Sequence, residues 1–216
     1  DACTWWAGDN VPRLESKPGP PAIMGTARHT VIECKASARP IVYDKLTGWT
    51  KDQFWEANRR IDASGINFRK YDAEVAYALN PMTGKVRILG RRIGRDYSKG
   101  RPGEICGSAD LTDPFASEVL DLKTGRLQNV DAIYDNWQLM FLLYCVTNGK
   151  GGKAGILHME EEGDLRIPED YYHEFSEADM TAWLQRLQAR ILEANTSEPR
   201  LNSKCKFCPG LMACPK

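Results

Sequence analysis

The stretch GSADLTDPFASEVLDLKTG, residues 107 to 125, constrains this chain more than any other. Two short alternating runs flank TDPFA, which is turn chemistry, so the segment predicts a β-hairpin whose centre falls between Phe115 and Ala116. That centre sets Asp110 opposite Asp121. Directly opposed residues carry Cβ atoms about 5 Å apart, and like charges there destabilise the pair unless something offsets them. A divalent cation would do so, because carboxylate oxygens are the preferred ligands of Mg²⁺ and Mn²⁺. On the second strand the period of two puts Asp121 and Lys123 on one face and turns Leu122 to the core, with its carbonyl near the ion. Two acids, a metal and an ammonium suit phosphodiester hydrolysis: the metal polarises the phosphate and acidifies a bound water, and Lys123 orients the nucleophile or balances charge. Glu74, on an earlier strand, adds an acid to the site or its rim. An isolated D-x-K is ordinarily a surface feature; the register and the neighbouring motifs give this one its weight.

The hairpin continues a longer run. YDAEVAYAL (71–79), KVRILGRRI (85–93), GEICGSADL (103–111) and SEVLDLKTG (117–125) predict at least three antiparallel strands separated by turns. Helices are predicted before them over 24–37 and 50–64, the second opening on a capping box of Thr50 and Gln53. After the sheet come a very apolar helix over 129–149, a strand at AGILHME (154–160), and an amphipathic helix over 176–195. That last helix sets Met180, Trp183, Leu184, Leu187 and Ile191 on one face. PRLESKPGPP (12–21) reads as an irregular connector. The order predicts an α/β (α+β) domain spanning 1–216.

At 216 residues the chain can bury a substantial core without metal. Its 29 basic residues balance 29 acidic ones, so any polyanion-binding surface must be local. One such patch is RILGRRIGRDYSKGR (87–101), where Arg87, Arg91, Arg92, Arg95, Lys99 and Arg101 lead towards Asp110. A solvated hairpin would look the same. Trp5, Trp6, Trp49 and Trp55 supply either a base-stacking surface or core and rim. No window of about 20 apolar residues and no basic-then-apolar leader is present, which predicts a soluble, cytoplasmic (intracellular) protein with no membrane partner. In GTARHTVIE (25–33), His29 and Glu33 lie at i, i+4 on one helical face, and His29 can ligate a metal if that face meets the sheet.

The cysteines number seven, which argues against a fully paired secreted framework. CKFCPGLMACPK (205–216) holds Cys205, Cys208 and Cys214 in a C-x2-C-x5-C pattern, one thiolate short of a tetrahedral metal site or a cubane cluster. Cys3, Cys34, Cys106 and Cys145 are the candidates for the fourth. Cys106 falls in a predicted strand and Cys145 in the apolar helix, where a buried cysteine is commonly a small hydrophobe.

The ordered set G-x3-H (Gly25 to His29), G-x2-D (Gly107 to Asp110), V-x-D-x-K-T-G (Val119 to Gly125), an internal helix Gln (Gln138) and C-x2-C-x5-C resembles the RecB-like branch of the PD-(D/E)XK nuclease superfamily. The likeness is particularly to its iron–sulfur members, related to AddB and to CRISPR-associated exonucleases, and runs from about Cys3 to Cys214. It implies a restriction-endonuclease-like mixed central sheet flanked by helices. It also implies Mg²⁺ or Mn²⁺ held by His29, Asp110, Asp121 and the Leu122 carbonyl, a catalytic Lys123, a supporting Gln138, and Glu74 as the preceding acid. Many relatives carry a Tyr three or four residues after the Gln; those positions here are Phe141 and Leu142, and Tyr144 lies further on as an expected DNA contact beside Arg91, Arg92, Arg95, Lys99 and Arg101. Relatives take their first cluster ligand upstream of the G-x3-H helix, which selects Cys3. A 4Fe-4S cluster would then join segments 1–23 and 200–216, with structural Zn²⁺ as the alternative; Phe207, Leu211 and Met212 provide apolar wrapping. The implied activity is a metal-dependent DNA exonuclease, a deoxyribonuclease with helicase, recombination or CRISPR partner proteins. A non-cutting nucleic-acid-binding or assembly subunit and a DNA endonuclease share the same residues.

Overall fold

A computed structural model describes residues 20–42, 51–92, 96–160 and 163–196. The chain divides into two compact units, Gly19–Leu184 and Asp1–Pro18 with Gln185–Lys216. The account below concerns the first, together with the helix that runs on into the second.

Two helices come first, α1 (Pro20–Ala36) and α2 (Lys51–Ala63). α1 opens on Pro20 and Pro21, residues that the sequence assigned to a connector. Proline is tolerated in a helix's first turn, where a missing N–H has no intrahelical bond to lose. Thr50, half of the expected capping box, lies outside the described residues.

The sheet follows: β1 (Asp72–Asn80), β2 (Lys85–Arg91), β3 (Ile105–Asp113), β4 (Glu118–Thr124), β5 (Gly152–Met159), β6 (Leu165–Arg166) and β7 (Tyr172–Phe175), ordered β2-β1-β3-β4-β5-β6 with β7 also paired to β5. All these pairs are antiparallel except β4 with β5, which is parallel. Parallel neighbours need a crossover, and α3 (Trp137–Thr147) supplies it. The architecture is thus a mixed central sheet flanked by helices, consistent with a restriction-endonuclease-like fold.

α3 is shorter than the helix expected over 129–149. Leu127–Asn129 and Ile133–Asp135 are single 3₁₀ turns, and the Asn136 side chain accepts the Leu139 N–H at 3.0 Å as the true N-cap. The helix stops at Asn148, left-handed at φ 53. The short strands β6 and β7 carry too few residues to show a period, and the sequence did not reveal them. α4 (Glu177–Thr196) starts where Ser176 Oγ accepts from the Asp179 N–H at 3.2 Å, and Asp179 Oδ2 accepts from the Ser176 N–H at 2.8 Å. Met180 and Trp183 are buried, and the Trp183 ring lies against those of Trp137 and Tyr144. No helix among the described residues is long and apolar enough to cross a membrane.

One core cluster gathers Ala27, Val31 and Ile32 of α1, Phe54 and Ile61 of α2, and Leu111, Leu120, Leu122, Leu157 and Met159 of the sheet. Each of these side chains larger than Ala27 contributes about 1.5–3 kcal/mol when fully buried. Leu120 and Leu122 face this cluster, so strand alternation sends Asp121 to the other face, where α3 lies.

At the β3–β4 turn, Asp113 pairs directly with Glu118, two acids in opposition. Asp113 Oδ1 accepts from the N–H groups of Phe115 and Ala116 at 3.1 and 3.0 Å. Glu118 is buried and accepts from Tyr172 Oη at 2.6 Å, Tyr71 Oη at 2.8 Å and Lys70 Nζ at 2.9 Å. Burial alone would raise the Glu118 pKa, but the three donors outweigh it and hold the carboxyl below its ordinary value. A depressed folded pKa gives stability that is present above the unfolded value of about 4.3 and lost as pH falls through the folded one. Glu118→Gln is expected to cost about 1.5–3 kcal/mol at neutral pH, the range for hydrogen bonds to a charged group. Chemical denaturation at pH 7 and pH 3.5 checks it, since the gap between wild type and variant must narrow on acidification.

Candidate active site

The β3–β4 ladder runs Asp113↔Glu118, Thr112↔Val119, Leu111↔Leu120 and stops. The next step would oppose Asp110 to Asp121, the register predicted from the turn. Instead the strands part, and Asp110 Oδ2 accepts the Leu122 backbone N–H at 2.7 Å in place of a ladder carbonyl. Its other oxygen, Oδ1, lies 3.3 Å from His29 Nδ1. Glu74 joins from β1: candidate ligand atoms of His29, Glu74 and Asp110 all lie within 4.8 Å of one another. Glu74 sits at φ 50, unusual for a residue with a Cβ. Its carbonyl accepts the Arg92 N–H at 2.7 Å. Left-handed non-glycine residues persist where surrounding structure over-determines them, and they concentrate at functional sites.

Asp121 is only 2% exposed. Its Oδ1 accepts from Gln138 Nε2 at 3.0 Å, and Gln138 Oε1 accepts from Lys123 Nζ at 3.3 Å. Lys123 Nζ also lies 2.7 Å from Asp121 Oδ2, a salt bridge to the second oxygen of the buried carboxylate. Burial and the neighbouring Asp110 charge raise the Asp121 pKa against the pull of Lys123 and His29. At His29, burial works to lower the pKa. The hydrogen bond and charge of Asp110, with the charges of Asp121 and Glu74, outweigh it and hold the imidazole above its ordinary value. A divalent cation fits this donor set of one imidazole and neighbouring carboxylates.

The motif glycines have a packing reason. A methyl group at Gly25 would lie 2.9 Å from Thr124 Oγ1, and one at Gly107 would lie 2.7 Å from the Phe141 ring. Gly25 lets α1 close on the end of β4 and so brings His29 to Asp110. Gly107 lets α3 close on β3, the helix that carries Gln138.

The predicted basic contacts do not all converge. Arg91 pairs with Asp72 at 3.0 Å, and Arg87 makes a two-bond contact with Glu104 at 2.7 and 3.0 Å. Arg92, Lys99 and Arg101 are exposed, the last with its N–H on Glu104 at 2.8 Å. Arg95, Cys3, Cys205, Cys208 and Cys214 lie outside the described residues. Tyr144 is buried, its hydroxyl 3.4 Å from the Gly84 carbonyl, so its ring packs the core and does not join the carboxylates. The Leu122 side chain is in the core as expected. The sequence did not single out His158, whose Nε2 lies 2.6 Å from the Gly125 carbonyl, nor Ser108, whose Oγ meets Tyr97 Oη at 3.3 Å on the pleat face of Asp110. For His158 the available signal was a polar residue inside an apolar strand.

Carboxylates, an imidazole and an ammonium gathered where two strands of a mixed sheet part are the build of a metal-dependent nuclease core. The model of the PD-(D/E)XK nuclease superfamily matches residues 6–215, and the chain belongs to that superfamily. No curated protein matches it. A solved structure titled "Crystal structure of SSO0001" is similar at 16% identity, over 93% of this chain and 89% of that one, with a TM-score of 0.40.

Gly25→Ala is expected to push α1 from β4 and to weaken Mn²⁺ binding by about 10- to 100-fold, the usual cost of disturbing the residues that orient ligands. Adding Thr124→Ala should recover most of the loss, because it removes the oxygen that the new methyl meets. Calorimetric Mn²⁺ titration of the two variants checks the pair.

Proposed function

We propose that this chain is a metal-dependent DNA exonuclease, with His29, Asp110, Asp121 and the Leu122 carbonyl holding Mg²⁺ or Mn²⁺ and Glu74 on the rim. The observation that carries the proposal is the chain Lys123–Gln138–Asp121 set beside the group His29, Glu74 and Asp110. The bound ion would polarise the phosphodiester and acidify water. Lys123 offers its ammonium to the charge that grows on the phosphoryl oxygens as water adds and the leaving oxygen departs. Gln138 bridges Lys123 and Asp121, so the ammonium and the carboxylate keep one relative position through the reaction. Arg92, Lys99 and Arg101 offer the phosphates of the flanking strand a local positive surface on a chain with no net charge. An endonuclease would use the same groups. Exonuclease action is favoured by the ordered motifs that this chain shares with the RecB-like branch.

The reading is tested with end-labelled linear and covalently closed circular DNA. Linear DNA should be degraded with Mg²⁺ or Mn²⁺ and spared with chelator, while circles survive. Asp121→Ala and Lys123→Ala should each lose on the order of a thousandfold in rate, the scale of removing one group that stabilises transition-state charge. Circles cut as fast as linear DNA would make the protein an endonuclease, and no cutting with any metal would leave a binding or assembly subunit.

The resemblance to iron–sulfur relatives and the apolar residues around the C-x2-C-x5-C run favour a 4Fe-4S cluster on Cys3, Cys205, Cys208 and Cys214, although the spacing fits zinc equally. Such a clip closes a loop of about two hundred residues, the kind that stabilises most in principle. Elemental analysis should find iron with acid-labile sulfide. Cys3→Ser and Cys205→Ser should both lose it and melt early; zinc in its place, or a cluster that survives Cys3→Ser, would reassign the metal or the fourth ligand.

A further inference from the structure

His158 lies beside Lys123 in the parallel β4–β5 ladder and is 1% exposed. Its neighbours Leu157 and Met159 face the core under α1 and α2, so alternation along the strand sends His158 to the face of Asp121 and Lys123. A buried imidazole is costly unless it is hydrogen-bonded, and its Nε2 lies 2.6 Å from the Gly125 carbonyl oxygen. A carbonyl only accepts, so Nε2 carries the proton and donates it.

Gly125 is where the chain leaves β4. It stands at φ 104, its N–H reaches the Met159 carbonyl at 3.4 Å, and Thr124 before it closes against Gly25. Lys123 is the last residue but one of β4, and element ends fray unless they are tied. Its ammonium meets Asp121 at 2.7 Å and Gln138 at 3.3 Å through a long stem that is one-third exposed. Holding such a stem in one geometry depends on a fixed backbone beneath it.

We propose that His158 is a positioning residue for Lys123: by donating to Gly125 it pins the end of β4 and thereby aligns the ammonium on Asp121 and Gln138. The inference rests on the nuclease reading above. His158 itself touches neither substrate nor the carboxylates; it acts through the strand end.

The test compares His158→Phe, which fills the space without a donor, with His158→Gln, whose amide can still donate to Gly125. Two readouts are taken on the full chain. In DNA cleavage, His158→Phe should lose at least tenfold in kcat with KM, Mn²⁺ affinity and melting temperature near wild type, and His158→Gln should recover most of the rate. In ¹H–¹⁵N spectra, the Gln138 side-chain amide should shift in His158→Phe and return in His158→Gln. Equal kcat in wild type and His158→Phe overturns the inference and leaves the nuclease reading standing. A parallel fall of kcat, melting temperature and Mn²⁺ affinity in both variants overturns it too, because that pattern is general destabilisation. If the wild type cuts no DNA, the nuclease reading falls, and an unmoved Gln138 amide then sinks the positioning role by itself.

Discussion

The candidate site depends on one substitution of acceptors: at the point where the β3–β4 ladder ends, the Asp110 carboxylate takes the Leu122 N–H that a further rung would have used. A continued ladder would press Asp110 and Asp121 together side by side. Parting the strands gives each carboxylate its own surroundings, Asp110 beside His29 and Asp121 beside Lys123 and Gln138. The opposite face loses nothing, because Leu111, Leu120 and Leu122 still pack under α1 and α2. One strand pair therefore packs aliphatic core on one side and carries the charged groups of the site on the other.

The site is electrostatically unequal. Glu74, Asp110 and Asp121 face His29 and Lys123, and Asp121 is almost wholly removed from water. Burial first and the Asp110 charge second raise the Asp121 pKa, while the hydrogen bond and charge of Asp110 hold His29 up against its own burial. An added cation would stabilise the ionised carboxylates further. A very different solution holds the other end of the hairpin. There Glu118 takes three donors and the Asp113 carboxylate closes the turn, so two opposed acids are satisfied by protein groups alone. The contrast separates a carboxylate pair used as a pin from one left short of cations.

Much of this was legible in the chain. Alternation and the TDPFA turn located β3, β4 and their register to the residue, because a hairpin's geometry follows from local turn chemistry. The i, i+4 spacing and G-x3-H placed His29 on a helix, and the ordered motifs named the PD-(D/E)XK superfamily. The failures also have physical causes. The helix over 129–149 was drawn too long because apolarity masked the Asn136 cap, and β6 and β7 are too short to carry a period. Tyr144 was assigned to DNA by its distance from Gln138 along the chain, whereas Gly84 and Gly149 leave the small surfaces against which its ring packs.

By itself the sequence determined which residues alternate, where the hairpin turns and which chemistry-bearing groups recur at fixed spacing, because those properties depend on neighbours a few positions away. Tertiary structure alone decided that β3 and β4 part above Leu111, that Gly25 lets α1 carry His29 to Asp110, and that His158 of β5 holds the end of β4. Those are contacts between segments distant in the chain, set by packing and by the cost of leaving buried polar groups without partners, and no local pattern encodes them.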